Sequence, residues 1–143
     1  MIRRMKMHCE VIRLTISVPD LHRLAESMGV TLRRHNGGKK GWYDHATRTI
    51  STRRGMSIQQ YRSVLAHELG HAAHGDIPTG NGHFDQRQER RADEYAAQLL
   101  INPTDFESAA VWHHGHLPAI ADELEVTKHL LKTWQSLHER TAA

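Results

Sequence analysis

Residues 57–75 read SIQQYRSVLAHELGHAAHG, and both the fold and the chemistry of the chain turn on them. Ser57 has the character of a helix N-cap, with Gln60 three residues on as the partner of a capping box, and Gly75 ends the segment. Between them Tyr61, Val64, Leu65, Leu69, Ala72 and Ala73 give the helix an apolar side. His67 and His71 then lie four residues apart on one face, where two imidazoles can grip one ion. Glu68 stands beside them. In an HExxH arrangement that glutamate is not a ligand; it takes a proton from the attacking water and passes it to the leaving amine.

The motif needs support from its surroundings. With 13 histidines in the chain, shuffling produces HExxH in roughly one sequence in fifteen. A catalytic metal also wants a third protein ligand and an open position. Glu89 is the first candidate. It opens a second helical segment as ERRAD, and Asp93 follows four residues later on the same face, where its carboxylate can orient a ligating histidine. Asp76 and His83, just past the first helix, remain alternative ligands, and Glu89 also has a plain reading as a solvated glutamate favoured by the helix dipole. A metzincin would need glycine at 74 and histidine at 77; His74 and Ile77 exclude that class.

Composition bounds the rest. The length of 143 residues suits one domain, and 38% hydrophobic with 24% charged residues is the balance of a soluble globular protein. No apolar run is long enough to span a membrane, and the basic start MIRRMKMHCEVIRL lacks the apolar core and cleavage site of a secretory signal, so a cytoplasmic location is expected. Cys9 is the single cysteine, which leaves nitrogen and oxygen as metal donors. A net charge of +3 does not demand a nucleic-acid partner.

Working outward, residues 1–17 read as an extension or an edge strand, with Ile12, Leu14, Ile16 and Val18 alternating with polar neighbours, and residues 18–143 as one domain. Pro19 starts a helix that Gly29 stops. Strands are expected near 30–35, 41–45 and 48–52, joined by turns at Gly37-Gly38 and Asp44 to Thr47, most economically as an antiparallel meander. A helix over about 86–101 buries Ala92, Tyr95, Ala96, Leu99 and Leu100; shorter helices follow near 104–112, 118–125 and 127–140.

Taken together, RSVLAHELGHAAHGD (62–76) and QERRADEYAAQLL (88–100) resemble the ImmA/IrrE family of metallopeptidases. The resemblance covers about residues 18–103. It implies an α+β, zincin-like fold, with a small sheet packed on the HExxH helix and further helices. Matched position by position, it implies His67, His71 and Glu89 as metal ligands and Glu68 as general base, with Asp93 where the family often carries Asn or Asp. It further implies zinc as cofactor and a helix-turn-helix repressor, cleaved in the cytoplasm, as protein substrate. LINP departs from the more usual Leu-Met-Pro ending of the second helix. Manganese, cobalt or iron suit a two-histidine, one-carboxylate site as well.

Such a peptidase also needs a donor for the oxyanion, for which His113, His114, His116 and Tyr95 are candidates beside their plain readings as loop histidines and a core tyrosine. Two other functions compete. AIADELEVTKHLL (119–131) resembles the first part of a helix-turn-helix, within a pair of helices at about 117–140, which opens a DNA-binding reading. Against it, Glu125 takes the turn position that favours glycine, Lys128 and Lys132 are the few basic residues of the reading helix, and Leu130, Leu131, Trp134 and Leu137 form a packing stripe. Alternatively the metal is a structural staple in a binding protein, but a structural site needs no general base and fills its fourth position with protein.

Overall fold

The computed structural model describes residues 15–142. Six helices and three strands are formed among them: α1 (Val18–Ser27), β1 (Thr31–His35), β2 (Gly41–Asp44), β3 (Thr49–Arg53), α2 (Ile58–His74), α3 (Gly82–Leu100), α4 (Pro103–Trp112), α5 (Leu117–Leu124) and α6 (Lys128–Ala142). The fold is α+β, as expected. Most of the strand expected before Val18 lies outside the described residues; Val18 itself opens α1, capped by a reciprocal Ser17–Asp20 box.

The sheet is mixed, where a meander was expected. Its order is β1-β3-β2, with β1 parallel and β2 antiparallel to β3. Burial explains the order. Ile50, Ser51 and Thr52 of β3 are all buried, whereas β1 carries exposed Arg33 and Arg34 and β2 exposed Trp42, so the strand best able to lose water lies in the middle and the charged ones at the edges. His35 secures the crossing: its ring bonds Ser51 Oγ at 2.7 Å and the Lys39 carbonyl at 2.7 Å, and stacks on Trp42.

Helix α2 runs under this sheet and through the middle of the molecule. Ser57 Oγ accepts the Gln60 N–H at the start, and Gly75 closes the end in the left-handed conformation at φ 63°, where a glycine is at ease. Leu65, Ala66 and Leu69 are fully buried and join one apolar cluster with Leu21, Ile50, Ala96, Leu100, Leu124 and Leu131. Helix α3 begins four residues earlier than expected because Asn81 caps it, its side chain accepting from the His83 and Phe84 N–H groups.

Two glycines set how closely the layers approach. A Cβ on Gly70 would lie 3.0 Å from Ala92 Cα, and one on Gly41 would lie 2.6 Å from Val64 Cγ1 and 3.4 Å from Glu68 Cγ. Hydrogen therefore brings α3 against the HExxH turn from one side and β2 against it from the other.

The C-terminal helices dock on α2 through polar contacts. Arg62, itself buried, donates from Nε to the Glu125 carbonyl at 3.1 Å and from Nη1 to the Ile16 carbonyl at 2.5 Å. Ser63 Oγ accepts the Thr127 N–H at 3.1 Å, and Gln59 reaches Asp122. Glu125 adopts φ 55° at the end of α5, the left-handed turn position noted from sequence. Leu130, Leu131 and Trp134 of α6 are buried, so the stripe packs as expected and leaves Lys128 and Lys132 exposed.

Candidate metal centre

His67 and His71 project from α2 toward α3, with ring centroids 4.8 Å apart and planes nearly perpendicular. Helix α3 presents Glu89 and Asp93, one turn apart, on the facing side. The Gly70 approach keeps the two helices close enough for both carboxylates to reach the imidazoles.

Each ring is held at Nδ1 by a carboxylate. His67 Nδ1–H donates to Asp93 Oδ1 at 2.7 Å, and His71 Nδ1–H donates to Asp76 Oδ2 at 2.8 Å. A ring whose proton is fixed at Nδ1 keeps a lone pair on Nε2. Both Nε2 atoms meet the same carboxylate: His67 Nε2 is 3.3 Å from Glu89 Oε1, and His71 Nε2 is 2.6 Å from Glu89 Oε2. Two imidazole nitrogens and a carboxylate turned toward one point make a donor set that a shared cation can satisfy. One donor atom from each of His67, His71 and Glu89 lies within 4.8 Å of the others, so the set fits a single metal ion of nitrogen–oxygen preference.

The electrostatics follow from these contacts. Burial works against charge on His67, but the Asp93 hydrogen bond and the carboxylates of Glu68, Asp93 and Glu89 outweigh it and raise its pKa. For Asp93 burial acts upward, and the hydrogen bonds from His67 and His129 prevail to hold it below its ordinary value. Glu68 is 7% exposed, and burial pushes its carboxyl upward against the pull of the two imidazoles. A carboxyl so placed binds a proton more readily than one in water.

These groups open onto a cleft of about 820 Å³ between β2, α2, α3 and the start of α6. Trp42, Tyr43, Val64 and Leu130 give it apolar walls, with Lys39 and Lys40 on one rim.

The other sequence candidates are spread elsewhere. Asp76 is buried, but its oxygens are taken by His71 Nδ1 and by Arg91 at 2.6 Å, and it offers none to the ligand cluster. His83 is exposed and bonds Arg87. His113 pairs with Glu123, and neither it nor His114 nor His116 lines the cleft. Tyr95 packs against Gly70 and His74, facing a different surface hollow. Tyr43, Ser63, Gln88 and His129 also line the cleft and can donate a hydrogen bond, and sequence reasoning does not single them out as site residues. None has a signal in spacing; His129, for one, lies on a helix read for its leucines.

Among models of protein families, residues 25–133 match the IrrE N-terminal-like domain of peptidase family M78, a span well over half of the chain that includes the sheet and both helices of the cleft. No curated protein matches the chain. No helix among the described residues is long and apolar enough to cross a membrane.

Proposed function

Because the chain belongs to the ImmA/IrrE family of metallopeptidases, we propose that it is a zinc-dependent endopeptidase that hydrolyses one peptide bond in a cytoplasmic regulatory protein, with a helix-turn-helix repressor as the substrate class. In this reading residues 18–143 act as one catalytic unit. The observation that carries it is the convergence of two Nδ1-anchored imidazoles on the Glu89 carboxylate, with buried Glu68 on the same helix turn.

His67, His71 and Glu89 would hold the metal, leaving its remaining position open to the cleft. Bound there, zinc supplies the Lewis acidity that lowers the pKa of water to about 7 and polarises the scissile carbonyl. Glu68 accepts the proton of the attacking water on its carboxylate and delivers it to the leaving amine, a task suited to a carboxyl whose pKa burial has raised. Asp93 and Asp76 keep the ring protons on Nδ1, so that each Nε2 stays available. Gly41 lets β2 run directly past Glu68, so one wall of the cleft stands against the base.

The test is metal content by elemental analysis of wild type, His71→Ala, Glu89→Ala and Glu68→Gln, beside cleavage of co-expressed candidate repressors read on a gel. Wild type and Glu68→Gln are expected to carry about one zinc per chain and the other two to lose it, with wild type alone cleaving. A Glu89→Ala protein that keeps its zinc would remove Glu89 from the ligand set. A wild type that binds no metal would end the peptidase reading.

A further inference from the structure

Asp93 has two oxygens, and only one faces the candidate metal centre. Oδ1 accepts from His67 Nδ1 at 2.7 Å, while Oδ2 accepts from His129 Nε2 at 2.8 Å. His129 is the second residue of α6, a helix that contributes neither ligand nor base to the proposed reaction. The same layout recurs at the other ring, where Asp76 bridges His71 Nδ1 at 2.8 Å and Arg91 Nη2 at 2.6 Å. Each ring thus has a carboxylate behind it, and each carboxylate has a donor behind that.

We propose that His129 is a positioning residue for the metal centre, holding the Asp93 carboxylate in the orientation that fixes His67, so that the C-terminal helix pair completes the site. The inference rests on the metallopeptidase reading above.

Three observations support it. The start of α6 is fixed in space rather than loosely apposed: Thr127 N–H donates to Ser63 Oγ, the Leu130 N–H is capped by Thr127 Oγ1 at 3.3 Å, and Leu130 itself is buried. That anchoring on α2 delivers His129 to Asp93 on α3, thirty-six residues earlier in the chain. The Asp93 side chain is 23% exposed, and a carboxylate largely withdrawn from water is oriented by its remaining donors. The His129 side chain is 71% exposed, so its bond to Asp93 adds little to folding and its consequence falls on orientation.

That difference gives the test. Zinc affinity would be measured by competition with a chromophoric chelator for wild type, His129→Ala, His129→Gln and Lys132→Ala, together with the visible spectrum of the cobalt-loaded proteins and the melting temperature of the metal-free ones. His129→Ala is expected to bind zinc about tenfold more weakly with an altered cobalt band and an unchanged melting temperature. His129→Gln, which keeps an N–H donor within reach of Asp93, is expected to regain most of the affinity, and Lys132→Ala, exposed on the same helix, to match wild type. Wild-type affinity in His129→Ala would overturn the proposal while leaving the peptidase reading intact. So would a fall in melting temperature shared by both His129 variants, which would make the contact one of folding. A wild type that takes no zinc would overturn the peptidase reading itself, and this proposal with it.

Discussion

Gly70 and Ala92 meet backbone to backbone: a Cβ on Gly70 would lie 3.0 Å from Ala92 Cα and 3.1 Å from its carbonyl oxygen. The glycine between the two histidines is thus what allows α3 to carry Glu89 and Asp93 up to the rings. Alanine is the better helix former by about 1 kcal/mol, so in an exposed helix Gly70→Ala would stabilise. Here the added methyl presses on main chain that cannot rotate away, and α3 must shift by a few tenths of an ångström. We expect Gly70→Ala to bind zinc more weakly than wild type despite its greater helix propensity, as read by chelator competition. Unchanged affinity would show that the interhelical distance is not what sets the site.

Asp76 is the buried member of its bridge, with both oxygens engaged by His71 and Arg91. Asp76→Ala frees the His71 ring and leaves its Nδ1–H unpaired away from water, so metal affinity should fall by roughly 10- to 100-fold. Arg91→Ala, which removes only the outer donor from a half-exposed position, should cost less. An Asp76→Ala protein that binds zinc like wild type would refute the role given to this residue.

The helices were the legible part of this fold, for a physical reason: caps and periodicity are local. Ser57, Gly75 and the apolar stripe between them bound α2 without reference to anything else in the chain. The sheet was less legible because the alternation in each strand says which residues face inward but not which strand lies between the others; that depends on burial of Ser51 and Thr52 against layers far away in sequence. At the site, the spacing of His67, Glu68, His71, Glu89 and Asp93 marked residues that the structure gathers, since all lie on two regular helices. Nearness in sequence makes Asp76 a candidate ligand, but its bridge to Arg91 depends on a residue of the next helix. His129 and the buried Arg62 carry no signal in the sequence because their partners come from elements remote in the chain.

Glu125 sits at φ 55° where α5 turns toward α6, a conformation that crowds a Cβ against the following carbonyl. Its carbonyl, the acceptor for Arg62, survives substitution. Glu125→Gly should therefore relieve strain, raising stability by roughly 1 kcal/mol net of the added freedom of the unfolded chain. Thermal melting checks this; a lower melting temperature would mean that the Glu125 side chain contributes more than the strain costs.

Asp20 completes the box that starts α1. Its Oδ2 accepts the Ser17 N–H at 3.1 Å and the Ser17 hydroxyl at 2.8 Å, and Arg23 lies against the other oxygen. The Ser17 backbone bond first, then its hydroxyl, then Arg23 hold the carboxyl down from 3.8 to about 2. Because the folded value is depressed, the unfolded chain binds the proton first as pH falls; the contribution of Asp20 is complete above its unfolded value of 3.8 and is lost as pH drops through about 2. Carboxyl NMR should find Asp20 titrating near 2 in wild type and higher in Ser17→Ala, which keeps the backbone donor and loses the hydroxyl. The stability difference between wild type and Asp20→Ala should likewise narrow over the same acid interval. A midpoint near 3.8 in the folded protein would mean that the box does not persist in solution.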